Sequence, residues 1–198
     1  MLILFTPEEN KSIEKEQLIY FLENELSVLH VRKPKITELE LRSWLSQFEE
    51  KYLRKMVLHQ HHGLAEAFPV KGIHLKENIR RKQENLELYI EHYKLNGFTI
   101  SSSFHDFENM KTEALLFDYV ILSPVFTSVS KEGYQGKEFN VEKFPHKVVA
   151  LGGIEADKIP RVKYLGYEGV AVMGAIWLAE NKQQAFNEIY NKYRNVYK

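Results

Sequence analysis

Two short apolar runs near the end of the chain stop at glycine. Residues 148–151 are followed by Gly152-Gly153, and residues 169–173 are followed by Gly174. Runs this short and this apolar are typical of strands covered on both faces of a parallel sheet. Glycine at a strand end lets main-chain N–H groups approach a ligand, and several such amides together bind an anion. The spacing therefore predicts either a phosphate cup or simple strand-to-helix turns at Gly152, Gly153, Met173 and Gly174.

Arg32 comes directly after another apolar run, Val28–Val31. At that position a guanidinium offers a bidentate, permanently charged partner for phosphate or diphosphate. A surface arginine paired with a glutamate is the alternative. Lys33 is a weaker candidate, and Pro34 ends the regular structure.

Other polar residues follow predicted strands and could orient a ligand. Ser103 and Thr127 carry short hydroxyl groups, although both residue types are also common in turns. Lys131 lies in the longest predicted loop, residues 128–140, whose glycines suit a mobile lid. This lysine could reach a phosphate as a point charge, or it could be a solvated loop residue.

Histidines cluster at the ends of two further predicted strands, at His59, His61, His62 and His74. Imidazole titrates near neutrality and binds metals, so acid–base or metal chemistry is one interpretation. Strand alternation places His59 and His61 on the same side. However, no adjacent carboxylate completes a metal site, and hydrogen-bonded structural histidines are commoner. The sequence contains no Ser-His-Asp order, P-loop or HExxH pattern.

The composition restricts the classes of partner. The chain has 198 residues, 44% hydrophobic and 13% aromatic, which is enough apolar material for a sizeable core. Lys+Arg and Asp+Glu both number 27, so a small ligand is expected rather than nucleic acid. The absence of cysteine excludes disulfides, thiolate metal sites and cysteine nucleophiles. The N-terminal segment lacks the features of a signal peptide or membrane span, which predicts a cytoplasmic protein without a membrane partner.

The order of elements indicates a single-domain TIM (β/α)8 barrel over residues 1–198, because about eight strand–helix units follow one another. In this fold the active site lies at the carboxyl ends of the strands, and phosphate often lies after strands seven and eight. The two glycine-ended runs occupy those positions. The fifth strand is expected at residues 98–100. Helices are expected at residues 12–25, 37–50, 64–68, from after 75 to about 95, 107–116 and 176–197.

Seven segments at the predicted strand ends form a recognisable set. They are LHVRK at 29–33, GIHL at 72–75, SFH at 103–105, DYVILSPVF at 118–126, SK at 130–131, ALGGI at 150–154 and GVAVMG at 169–174. Together these segments resemble the thiamine phosphate synthase/TenI family, and the resemblance covers nearly the whole chain. It implies a TIM barrel that forms a homodimer and takes thiazole phosphate and hydroxymethylpyrimidine diphosphate as substrates.

The resemblance also implies roles for particular residues. It places the thiazole phosphate on Gly153 and on the amides of Met173 and Gly174. It places the leaving diphosphate on magnesium, Arg32 and Lys131, and the pyrimidine beside Ser103. The protein would then supply positioning and charge neutralisation while the pyrimidine methylene cation forms.

The chain departs from the family pattern where magnesium ligands are expected. His59-Gln60 stands in place of an Asn-Asp pair after strand three, and residues 76–79, KENI, stand where a metal-binding Asp is expected after strand four. Mg²⁺ prefers charged oxygen ligands, and Glu77 is the one acidic residue in that segment. Glu77 is therefore the candidate metal ligand. His59, Gln60, His74 and Thr127 are the remaining expected pocket residues.

Three hypotheses follow from the sequence. The first is a thiamine phosphate synthase. The second is a TenI-like thiazole tautomerase with a substituted base such as His59, His61 or His105, since residues 123–126 lack the histidine of that enzyme. The third is a non-catalytic protein that binds thiazole phosphate.

Overall fold

The strands form a closed parallel barrel in sequence order. The computed structural model describes residues 1–9, 13–127 and 135–198. Each strand is parallel to both neighbours, and β8 closes the barrel on β1 with Ala171 opposite Ile3. The fold is therefore the predicted single-domain TIM barrel. The strands are β1 (Leu2–Phe5), β2 (Val28–Val31), β3 (Met56–Leu58), β4 (Gly72–Leu75), β5 (Thr99–Phe104), β6 (Tyr119–Leu122), β7 (Val148–Leu151) and β8 (Gly169–Val172).

Helices cover the outside of the barrel. Short 3₁₀ turns at His62–Glu66, Ala114–Leu116 and Ala156–Lys158 connect other elements. Within the described residues, no helix is both long enough and apolar enough to cross a membrane. The α-helices of that part of the chain are α1 (Glu14–Glu23), α2 (Glu38–Leu45), α3 (Glu50–Leu53), α4 (Glu77–Arg80), α5 (Leu86–Leu95), α6 (Phe107–Glu113), α7 (Ile159–Tyr164), α8 (Gly174–Trp177) and α9 (Lys182–Tyr197).

Three helices have predicted extents that are wrong, because one ends early and two are each divided in two. Thr37 does begin α2, through a capping box with Glu40, but that helix ends at Leu45 and a new one starts at Glu50. Asn85 and Asn181 are the reason for the other two breaks. Each side chain accepts a hydrogen bond from the amide three residues later and so starts a new helix, α5 or α9.

Strand β5 is longer than predicted, and its predicted end at residue 100 is wrong. Ser101 pairs with Tyr119 and Ser103 with Ile121 in the ladder to β6, so the serines lie within the strand. The hydroxyl of Ser102 donates to Leu75 O at 2.7 Å, which satisfies its polar group outside the barrel. Because side chains alternate, Ser101 and Ser103 face the interior instead.

Alternation along the strands creates two apolar layers. The larger layer lies between the strands and the helices. The smaller fills the barrel and consists of Ile3, Phe5, Val28, Val57, Tyr119, Ile121, Val149 and Ala171. On β2, β3 and β4 the inward positions one step nearer the carboxyl ends are polar and are occupied by His30, His59 and His74. The barrel is thus apolar at its base and polar towards its carboxyl end, where the predicted site residues lie.

Candidate active site at the carboxyl ends of the strands

A cavity of about 920 Å³ opens at the carboxyl ends of the strands. The part of the chain after residue 150 contributes a wall rich in glycine, and the part before residue 106 contributes a wall of cationic, hydroxyl and imidazole groups. A cavity of this size accommodates a small molecule with an anionic end. The expected site residues that line it are Arg32, His59, His74, Glu77, Ser103, Gly153, Met173 and Gly174.

The glycine wall is built from main-chain atoms. Gly152 and Gly153 have φ values of +102° and +62°, which L side chains rarely adopt. A Cβ on Gly153 would lie 2.6 Å from Thr127 O, so the close approach requires glycine. The amides of Gly153, Met173 and Gly174 donate to no backbone carbonyl of the described residues. They are therefore available to an anion.

The opposite wall carries positive charge. Thr6 positions Arg32 through hydrogen bonds to both its N–H, at 2.9 Å, and its carbonyl, at 3.2 Å. The Arg32 guanidinium forms an ion pair with Glu8. Arg32 is thus paired with a glutamate, as the alternative interpretation of the sequence predicted, and it also lines the cavity.

Lys76 follows β4 and lines the same wall. Burial lowers the pKa of its ammonium, the nearby Arg32 charge lowers it further, and Glu8 opposes the shift. Among the residues that the structure describes, the Lys76 ammonium has no hydrogen-bond or ion-pair partner, although its main-chain carbonyl accepts from the amides of Ile79 and Arg80. A bound anion would relieve both unfavourable effects on this ammonium.

Ser103 is held at the cavity by an arginine behind the strand. Arg80 is 3% exposed and donates to Ser103 O at 3.0 Å and to Ser102 Oγ at 2.6 Å. Its Nε lies 2.6 Å from a carboxylate oxygen of Glu113, and its guanidinium lies 4.0 Å from the ring centroid of Phe104. This network fixes the main chain of β5 at Ser103, whose side chain lines the cavity.

Three buried imidazoles form the floor of the cavity on the side of β2 to β4. His30 Nδ1 lies 2.8 Å from His59 Nε2, and His30 Nε2 lies 2.6 Å from the hydroxyl of Tyr119. His74 Nδ1 lies 2.8 Å from Ser101 Oγ. The rings of His59 and His74 are stacked with centroids 4.2 Å apart. Together they form a polar layer between the apolar base and the ligand space.

These imidazoles are neutral near pH 7. Burial lowers the pKa of His30 to about 3. Burial also lowers the pKa values of His59 and His74 well below the ordinary value, and the neighbouring imidazoles add to the effect. The floor therefore offers hydrogen bonds and nitrogen lone pairs and carries no charge.

Several residues singled out in the sequence lie elsewhere. Gln60 accepts a hydrogen bond from the amide of Lys33 at 3.3 Å, and Thr127 accepts one from the amide of Gly136 at 3.1 Å. Neither is among the residues that line the cavity. Lys33 is buried behind β2 in an ion pair with Glu14.

Other residues that were expected at the site lie outside it or outside the described part of the chain. Lys131 and residues 128–134 of the predicted lid lie outside the described part of the chain. His61 bonds to the carbonyl of Ile36, and His62 Nδ1 lies 2.7 Å from Tyr89 OH. These two histidines are positioned by contacts outside the cavity.

Sequence reasoning missed several of the cavity residues, among them Lys76 and Ser123, and one residue of its floor, His30. The alternation of side chains along the strands could have indicated Lys76, Ser123 and His30. His30 is two residues before Arg32, Lys76 is two residues after His74, and Ser123 continues the inward face of β6. Reading every second residue along each apolar run and past its end would have found all three.

Comparison with known proteins identifies the family. The family model for thiamine monophosphate synthase (TMP-TENI) matches residues 2–176. The chain belongs to this family. The match includes both walls of the cavity, from Arg32 to Gly174.

Sequence relatives of this family member are themselves synthases. Thiamine-phosphate synthase 1 of Streptococcus pneumoniae (strain R6) is 27% identical over 161 residues, which cover 78% of this chain and 75% of the relative. A thiamine-phosphate synthase of Bacteroides fragilis (strain ATCC 25285) is 30% identical over 148 residues, covering 69% and 70% of the two chains. These relatives support a function in thiamine biosynthesis.

Solved structures agree with the fold. Thiamine phosphate pyrophosphorylase of Bacteroides thetaiotaomicron superposes with a TM-score of 0.76 at 28% identity, covering 98% of this chain and 96% of that one. The enzyme of the same name from Pyrococcus furiosus has a TM-score of 0.79 at 21% identity, with coverage of 98% and 96%. At that identity the second structure supports the shared barrel alone.

Proposed function

We propose that the chain is a thiamine phosphate synthase. In this reaction the thiazole nitrogen forms a C–N bond to the pyrimidine methylene carbon, while the C–O bond to diphosphate breaks. The observation that supports the proposal is the two-sided cavity, with free main-chain amides on one wall and Arg32, Lys76 and Ser103 on the other. A substrate with an anionic end fits each wall.

The glycine wall is the proposed site for the thiazole phosphate. Its donors are the amides of Gly153, Met173 and Gly174, which have no backbone acceptor in the described residues. Lys158 supports this wall, because its ammonium donates to Gly153 O at 3.2 Å. Main-chain donors fixed in this way bind a phosphate without reorganisation.

The cationic wall is the proposed site for the diphosphate. Arg32 can bind phosphate oxygens in a bidentate manner once it leaves Glu8, and Lys76 adds a second positive charge beside it. Lys131 is proposed to act with them from the adjoining loop. These cations neutralise the leaving group as charge develops on it, and Ser103 orients the pyrimidine.

The residues present do not fit the magnesium ion that the family resemblance implies. Mg²⁺ requires several hard oxygen ligands in octahedral array. Glu77 is the carboxylate of the 76–79 segment, and it forms an ion pair with Arg81. Lys76 brings a positive charge to the same position, and His59 offers nitrogen. The proposed mechanism therefore assigns charge neutralisation to Arg32, Lys76 and Lys131.

A turnover assay tests the proposal. Purified protein is incubated with hydroxymethylpyrimidine diphosphate and thiazole phosphate, and thiamine phosphate and diphosphate are quantified. We expect equimolar formation of both products. Absence of product at high enzyme concentration, in protein that still binds both substrates, would contradict the synthase proposal and favour a phosphate-binding protein.

A thiazole tautomerase is the second candidate, and the position of His105 supports it. This imidazole lines the cavity, and its Nδ1 lies 3.1 Å from both Ser123 O and Ser123 Oγ. An imidazole held in this way can move a proton on a bound thiazole. NMR of thiazole phosphate isomers distinguishes this candidate, because a tautomerase changes the isomer ratio in the absence of the pyrimidine substrate.

A further inference from the structure

The imidazole cluster of the floor, His30, His59 and His74, has the arrangement of a metal-ligand set. One ring nitrogen from each histidine lies within 4.8 Å of the others, and all three residues are buried. The three side chains come from neighbouring strands and point inward by strand alternation. Two of them lie within strands, and His59 directly follows β3, where its amide still donates to Val31 O of the neighbouring strand.

The second nitrogen of two of these rings is already held. His30 Nε2 lies 2.6 Å from Tyr119 OH, and His74 Nδ1 lies 2.8 Å from Ser101 Oγ. Histidines that bind metals are commonly oriented in this way by a hydrogen bond to the nitrogen that does not bind. The nitrogens that remain for a shared ligand are thus His74 Nε2 and His30 Nδ1, and the latter now lies in hydrogen-bond contact with His59 Nε2.

The donor set selects a class of ion. Neutral imidazole is a ligand for Zn²⁺, Co²⁺, Ni²⁺ and Cu²⁺, whereas Mg²⁺ and Ca²⁺ require oxygen. Within the described residues the cluster contains no carboxylate. His59 and His74 also line the cavity, so a fourth coordination position opens towards a water or a ligand atom.

We propose that His30, His59 and His74 form a binding site for one divalent transition-metal ion of the zinc, cobalt or nickel class at the floor of the cavity. The proposal does not depend on the synthase activity. It requires a small rearrangement. His30 Nδ1 and His59 Nε2, now 2.8 Å apart, separate to about 3.3 Å around a tetrahedral ion, and the stacked rings of His59 and His74 turn towards it.

Cobalt titration tests the site without any substrate. Chelator-treated protein is titrated with Co²⁺, and the visible absorption of four-coordinate cobalt is recorded together with calorimetry. We expect one ion per chain, displaced by one equivalent of Zn²⁺. If the wild-type protein gives no saturable four-coordinate signal, the three histidines are a metal-free hydrogen-bonded cluster and the proposal is wrong.

Variants locate the bound ion. His30→Gln and His74→Gln should each lower cobalt affinity by at least about tenfold, and Ser101→Ala, which removes the orienting hydroxyl, by about tenfold. His105→Gln is the matched control, because this imidazole lines the same cavity but lies outside the cluster. The control variant should bind cobalt with wild-type affinity. If the control loses as much cobalt affinity as the histidine variants, or if Ser101→Ala loses none, the ion is not bound by the three histidines. Ser101→Ala also remains informative if the histidine variants do not fold.

Discussion

At the scale of single residues, the glycine wall depends on conformations that other residues rarely adopt. In a Gly153→Val variant a valine would have to adopt the left-handed backbone conformation, and its Cβ would collide with Thr127 O. We expect thiazole phosphate to bind at least about 100-fold more weakly, a loss of ~3 kcal/mol. Isothermal calorimetry measures this change.

Gly63→Ala is the control for the Gly153 variant. A Cβ at Gly63 meets no atom within 4 Å, and its φ is not positive. The control should bind thiazole phosphate with wild-type affinity. If Gly153→Val binds equally well, the phosphate is held elsewhere.

Lys76 is the residue that distinguishes a cationic diphosphate site from a magnesium site. Loss of a charged hydrogen bond costs about 1.5–3 kcal/mol, so Lys76→Met should weaken binding of inorganic diphosphate roughly 10- to 100-fold. The wild-type protein should bind diphosphate in the presence of EDTA. Calorimetry with and without Mg²⁺ measures both effects.

The control for Lys76 lies at the opposite end of the same strand. Lys71 precedes β4, so Lys71→Met removes the same charge away from the cavity and should leave diphosphate affinity unchanged. A strict requirement of the wild-type protein for Mg²⁺ would refute the cationic site.

At the scale of elements, Arg80 links α4 to the end of β5. Arg80→Met leaves Ser102, Ser103 O and Glu113 without their charged donor, so we expect a loss of about 2 kcal/mol in the free energy of unfolding. Urea denaturation measures it. In the adjacent control, Arg81→Met, an exposed pair with Glu77 is lost and the change should stay below about 1 kcal/mol.

Equal stability of the two arginine variants would show that the buried network does not hold β5. A second readout separates stability from function. Because Arg80 fixes the main chain at Ser103, its variant should also raise the KM for the pyrimidine substrate.

The elements also show how far the sequence could be interpreted. The strands were predictable because their apolar runs are short and end in glycine, proline or polar residues, as at Gly152 and Ser123. The breaks before α5 and α9 were missed because Asn85 and Asn181 look like ordinary surface residues until the cap hydrogen bond is seen. Within the site, Arg32 and Ser103 were found. Lys76 was read as a lost metal ligand, since its proximity to Arg32 is a tertiary feature.

At the scale of the whole molecule, buried neutral histidines make the barrel sensitive to acid. Burial lowers the pKa of His62 to about 4, below the ordinary value of about 6.5, so the unfolded state binds more protons between these values. Its contribution to stability is therefore complete above pH 6.5 and is lost as the pH falls towards 4. Each such group contributes up to about 1.4 kcal/mol per pH unit.

A comparison of variants isolates the contribution of His62. Between pH 7 and pH 5.5, in EDTA, the wild-type protein should lose about 1 kcal/mol more unfolding free energy than His62→Gln. Leu64→Ala, a buried change in the same turn without a titratable group, should retain the wild-type pH dependence. If His62→Gln loses as much as wild type on acidification, the histidine is not the titrating group.

One wall of the cavity presents main-chain atoms and the other presents side-chain atoms, and this difference has an evolutionary consequence. A donor that belongs to the polypeptide itself, such as the amide of Met173, survives most substitutions of its own residue, because replacing a side chain does not delete a peptide group. Gly153 is the exception, because its conformation and close contacts require glycine. The facing surface, supplied by the first half of the chain, is made of side chains that a single codon change can alter. Descendants of one barrel can therefore keep the proposed phosphate site while the reaction carried out on the rest of the substrate changes.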